Sequence, residues 1–170
     1  MNARKTQLKI ALACAIAFAA AGVASATQLS EKDAAFVGKA AIGGMAEVEQ
    51  SKTAKIRAGD PKIKAFAATM VTDHGNANTT LKGLAKDNGW SLPTSLDADA
   101  KAKVSDLSEK QGMDFDRSYA SNMQKDHDAT VALFKDFAQN ADDAALRKFA
   151  TDTLPTIEHH QKMAHELSGG

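Results

Sequence analysis

Cysteine is nearly missing from this chain: Cys14 is the only one in 170 residues. Proline (three), tryptophan (one) and tyrosine (one) are scarce, and aromatics make up only 5%. Neither charge sign is in excess, with 21 Lys+Arg against 21 Asp+Glu. Each shortage excludes something. Without a basic surplus there is no electrostatic footprint for nucleic acid. Without a glycine-rich phosphate loop, a dinucleotide fingerprint or a nucleophile elbow, the common nucleotide and hydrolase chemistries lose their machinery. No alternating pattern of strand type competes with the helical periodicity described below.

The one long apolar run lies at the start. Arg4, Lys5 and Lys9 form a basic head, Ile10 to Val23 an apolar core, and Ala24-Ser25-Ala26 a small-x-small cleavage signal. A signal peptide over residues 1–26, cut before Thr27, is therefore expected. A retained anchor is the competing reading, but the run falls short of the ~20 residues that a span needs. Cys14 lies inside this run, and Ala11 stands three residues before it, where a lipid-attachment site expects leucine. After cleavage no thiol remains, which excludes disulfides, thiolate zinc sites and cysteine catalysis. The expected location is the periplasm, with outer-membrane association as a variant and no stable membrane span. The 144 residues left, 27–170, suit a single domain with a real core. Losing three basic residues and no acidic ones gives 18 against 21, a net charge of −3.

Abundant alanine and sparse aromatics suit packed helices. Ser30-Glu31-Lys32-Asp33 resembles a capping box, and a helix follows to about Ala58, with Phe36, Ala40, Gly43, Glu47 and Ala54 on one face. Gly59-Asp60-Pro61 ends it and starts the next, which runs to about Asn88 with a stripe of Ile63, Phe66, Met70, His74, Ala77, Leu81 and Leu84. A long connection from Gly89 to Gln111 carries a short helix, Asp97 to Lys110, touching down through Val104 and Leu107. The third long helix, about Met113 to Asn140, has a stripe of Tyr119, Met123, His127, Thr130, Phe134 and Phe137. Ala141-Asp142-Asp143 turns the chain into a fourth, striped by Leu146, Phe149, Thr153, Ile157, His160, Ala164 and Leu167, with Pro155 inside it. Four long helices, two short turns and one long crossover predict an all-α, ferritin-like four-helix bundle.

Two stretches match one another: Met70-Val71-Thr72-Asp73-His74 and Met123-Gln124-Lys125-Asp126-His127 both read Met-x-x-Asp-His. Met and His four apart share a helix face. Each long helix thus carries one candidate ligand on its apolar stripe: Glu47, His74, His127 and His160. With the second and third long helices parallel, His74 and His127 lie at one level, 13 and 14 residues from the helix starts, and Glu47 is close to it. His160 falls about five residues off, roughly 7 Å at 1.5 Å per residue. It needs a kink, at Pro155 for example, to join them. A di-iron centre wants Glu-x-x-His on two helices, yet Val71, Gln124, Thr156, Ile157 and Lys162 stand three before the five histidines. Met70 and Met123 are softer donors that lean toward copper, and a mononuclear zinc, copper or iron ion is the cofactor class considered. Asp73 and Asp126 are secondary candidates, although Asp73 points about 100° away from its neighbour His74. The bland alternative is ordinary core methionine and hydrogen-bonded core histidine. His159, His160 and His165 are alternatively a partly exposed histidine patch.

Several longer stretches carry a resemblance. Ala40-x-x-Gly43-Gly44-Met45-Ala46-Glu47-Val48-Glu49 is followed by Phe66-Ala67-x-x-Met70-Val71-x-Asp73-His74-x-x-Ala77-Asn78. Then come Phe115-Asp116-Arg117-x-Tyr119, Met123-x-x-Asp126-His127 and Leu154-Pro155-x-Ile157-x-x-His160. From about Leu29 to Leu167 the chain resembles the domain of unknown function 4142 family. The resemblance implies a ferritin-like four-helix bundle, export, and an outer-membrane or periplasmic setting. It places Glu47, Asp73, His74, Asp126, His127 and His160 on motif positions and supplies no reaction. The leading expectation is a non-enzymatic exported bundle binding a transition metal through inward histidines, in metal handling or stress protection. An envelope module with a protein partner on its outer helix faces is the alternative of another class, and a ferritin-like metallo-oxidase is the third.

Overall fold

A computed structural model describes residues 28–169, so the expected signal peptide, with Cys14 in it, lies outside the described residues. The described chain is all-helical: α1 (Glu31–Arg57), α2 (Pro61–Asn88), α3 (Ala98–Glu109), α4 (Gly112–Asn140) and α5 (Ala144–Ser168). Four are long and one is short. No described helix is long and apolar enough to cross a membrane.

The helix ends fall where local chemistry puts them. The Ser30 hydroxyl accepts from the Asp33 N–H at 3.2 Å, half of the expected capping box. The Asp33 carboxylate does not reach back; it accepts from the N–H groups of Asp142 and Asp143 in the α4–α5 turn. Asp60 caps α2 ahead of Pro61, Asp97 caps α3 and Asp143 caps α5. Gly89 ends α2 at φ 71°, a left-handed conformation that glycine adopts without a Cβ penalty.

Contacts at the two ends fix the helix directions. The Arg57 guanidinium donates to the carbonyls of Ser108 and Lys110, and the N–H groups of Gly59 and Asp60 donate to the Asp116 carboxylate. The α1–α2 turn therefore sits at the start of α4. At the opposite end Ser30 donates to Asp142, beside the end of α4. The chain pairs α1 with α2 and α4 with α5, and joins the pairs through α1–α4 and α2–α5 contacts. The short α3 lies across α1 and α4, with Leu107 buried and Val104 half-buried.

The apolar core comes in two pieces. One gathers Phe36, Val37, Leu81, Trp90, Phe134, Phe137, Leu146, Phe149 and Ile157, with Phe36 stacked on Phe137 at 4.0 Å between centroids. The other gathers Ala54, Ile63, Phe66, Met70, Leu107, Phe115, Tyr119, Met123 and Ala164. Between them lies a layer of buried polar side chains: Glu47, Gln50, Ser51, His74, His127 and His160. The expected face of α1 is buried at Phe36, Glu47 and Ala54 and shifts by one residue in between. Val37, Ala41 and Gly44 are buried, whereas Ala40 and Gly43 are only half covered. At Gly44 the Asn78 amide of α2 occupies the space that a Cβ would fill, so a larger residue there would displace that side chain.

Candidate metal centre

His74, His127 and His160 arrive from α2, α4 and α5, and one ring nitrogen of each lies within 4.8 Å of one on both others. Their ring centroids are 5.3 to 5.7 Å apart. Glu47 of α1 closes the fourth side, so all four long helices contribute.

The expected offset of His160 does not keep its ring from the others. His160 lies 16 residues after Ala144, and His127 lies 13 residues before Asn140 at the facing end. The mismatch is thus three residues, about 4.5 Å at the α-helical rise. Helical side chains lean toward their own N-terminus. On antiparallel α4 and α5 this tilts His127 and His160 toward each other, and the gap closes. The α-helix runs on through Pro155, which lies on an exposed face.

Each imidazole has one nitrogen engaged with an oxygen acceptor. Nδ1–H of His74 donates to Glu47 Oε2 at 2.9 Å, and Nε2–H of His160 donates to Asp73 Oδ2 at 2.9 Å. Nδ1–H of His127 donates to the Met123 carbonyl at 2.8 Å. These partners fix the tautomers and leave a lone pair on Nε2 of His74, Nδ1 of His160 and Nε2 of His127. The first two face each other at 3.3 Å. The third is fully buried and has no partner. A buried acceptor without a donor costs ~1–3 kcal/mol. Two facing lone pairs repel unless a cation, either a proton or a metal ion, lies between them. Histidine rings whose far nitrogens are held by carboxylates or carbonyls are also what a metal site needs to orient its ligands.

The electrostatics follow from burial against neighbours. Burial alone would raise the Glu47 carboxyl, but the charge and hydrogen bond of His74, with help from His127 and His160, hold it below the ordinary carboxylate range. For His74 burial works downward, and the adjacent Glu47 carboxylate outweighs it and raises the imidazole. Burial pushes His160 down to about 4, with His74 and His127 adding to the shift and Asp73 opposing it, so its ring is neutral at pH 7. A neutral ring is the ligating form.

The secondary candidates separate. Asp73 anchors His160 across the helix interface, not His74 beside it in sequence. Asp126 turns to Lys103 of α3. Met70 and Met123 are fully buried in the core piece that holds Phe66 and Tyr119, and Met123 reaches the triad through its backbone carbonyl. The expected patch of His159, His160 and His165 is split, because His160 is buried while His165 sits outside, bonded to Asp128 and Gln124. The sequence reading missed the polar layer beneath the triad, where Ser51 bonds the Tyr119 hydroxyl at 2.8 Å and Asn122 donates to Gln50. Ser51 lies four residues after Glu47, so the helical period carried that signal.

Residues 18–167 match the family described as Domain of unknown function (DUF4142). The chain belongs to this family. No curated protein matches this DUF4142 chain. Among solved structures it is similar to a DUF305 fragment from Deinococcus radiodurans, at a TM-score of 0.72 and 12% identity over 84% of this chain and 99% of that one. It is also similar to CopM in the Ag-bound form, at a TM-score of 0.63 and 18% identity over 79% of this chain and 93% of that one. At these identities the likeness concerns the fold.

Proposed function

We propose that this DUF4142 protein is an exported, periplasmic bundle of ferritin-like arrangement that holds one soft metal ion, copper(I) above all. The ligands are Nε2 of His74, Nδ1 of His160 and Nε2 of His127. Glu47 and Asp73 act behind the rings as the acceptors that orient them. The observation that carries this reading is the set of three lone pairs left on clustered, buried imidazoles, each ring held from behind. Imidazole suits copper and zinc alike. Two further points support the monovalent ion. Glu47, the buried carboxylate of the polar layer, balances a single positive charge, and the structurally similar CopM carries silver, a chemical stand-in for copper(I). The role is metal handling in the envelope.

The test is the metal content of untagged protein after anaerobic loading with copper(I), followed by gel filtration. One copper per chain is expected, falling to trace levels in a His74→Ala, His127→Ala double variant. Trace copper in the unsubstituted protein would overturn the proposal. A second reading rests on the 2.9 Å Glu47–His74 pair. In it a proton takes the place of the ion, the layer is a polar core, and the outer helix faces bind an envelope partner. Folded, metal-free protein that does not load would favour it.

A further inference from the structure

A small cavity of about 50 Å³, measured as room for the centres of water-sized molecules, runs between α1, α2, α4 and α5 beside the triad. Its walls are mostly apolar, with Leu81, Phe134, Phe149 and Ile157 prominent, and Lys39 and Thr153 add polar groups. Its inner end is formed by Glu47, His74 and His160, while His127 takes no part in the lining. The cavity therefore opens on one edge of the imidazole triangle, the edge where Nε2 of His74 and Nδ1 of His160 face each other.

An ion held by three protein ligands would have room for one more ligand. We propose that this position faces the cavity, and that the cavity admits a small, neutral, largely apolar molecule that ligates the ion end-on. The inference rests on the metal reading above. Neutrality follows from charge: the lining sets the Glu47 and Asp73 carboxylates against the Lys39 ammonium, and one monovalent ion then leaves no surplus positive charge to attract an anion. Small size follows from the narrow bore between four packed helices. Gly43 of α1 keeps one wall low, because a Cβ placed there would meet nothing within 4 Å. Ala77 of α2 does the same on another wall.

Ethyl isocyanide is the probe, added without oxygen to copper(I)-loaded protein and read by the infrared C≡N stretch. A shifted stretch that saturates at one ligand per copper is expected. Gly43→Leu fills the cavity without touching a ligand, so copper stoichiometry stays at one while isocyanide affinity falls at least tenfold. Gly43→Ala gives an intermediate loss, and thermal melts of both variants report whether the bundle is intact. Ala77→Leu repeats the test from α2 if the leucine at 43 fails to fold. Stoichiometric copper with no shifted stretch overturns the cavity inference and leaves the metal site standing, as does unchanged affinity in the folded leucine variants. Failure to load copper overturns both.

Discussion

At the scale of single residues the site is governed by what stands behind each ring. Glu47 is the most consequential, since it is buried and holds the Nδ1–H of His74. Glu47→Gln keeps the shape but removes the charge, and loss of such an orienting partner typically costs ~10–100-fold in metal affinity. Competition against a copper(I) chelator should show that loss. Asp73→Asn should cost less, because the Asp73 side chain is 34% exposed and water can replace part of its contact. Acid should act through the same groups. His160, held near 4, refuses a proton that the unfolded chain accepts near 6.5. The unfolded state then binds more protons across that window, so metal-free stability rises with pH from about 4 to 6.5. The depressed Glu47 adds to this at the acid end, since its contribution is present above its unfolded value of 4.5 and lost below it. His74 acts in the opposite sense, because its raised value gives stability that is complete below 6.5 and fades as pH climbs past the folded value. Thermal melts of metal-free protein at pH 4.5 and 6.5 should therefore differ in favour of pH 6.5, and His160→Gln should narrow the gap.

At the scale of elements the helices were largely legible. Ser30, the Asp60-Pro61 pair, Asn88-Gly89 and Asp143 mark ends that chain chemistry sets locally. Which nitrogen of which ring meets which oxygen was not legible, because that depends on helix rotation by fractions of a turn. The level of His160 was misjudged for a similar reason: residue counting gives the height of a Cα, whereas a ligand atom sits several ångströms along a tilted side chain. Pro155 makes this testable. If its only effect is the missing amide within an exposed helix interior, Pro155→Ala should stabilise the protein by ~1–3 kcal/mol, within the usual penalty for proline at such a site. Copper loading should be unchanged. A variant that melts higher but no longer loads copper would show that a distortion at Pro155 shapes the site after all.

At the scale of the whole molecule, the likeness to the DUF305 fragment and to CopM concerns how the helices are arranged. An ion held by α2, α4 and α5 binds the native state alone, so loading should raise stability by RT ln(1 + [L]/Kd), ~2.7 kcal/mol at a hundredfold excess over Kd. Calorimetry of copper-loaded against metal-free protein measures it directly, and equal melting temperatures would contradict the proposed site. The division of the apolar core into two pieces carries a consequence of its own. Each piece is a small oil drop closed by half the length of the same helices, and the only seam between them is polar. Helical rods alone transmit order weakly across such a seam. Charge at the waist thus sets whether the two drops melt as one body or in succession, and a single bound ion would act as the rivet that makes their unfolding simultaneous.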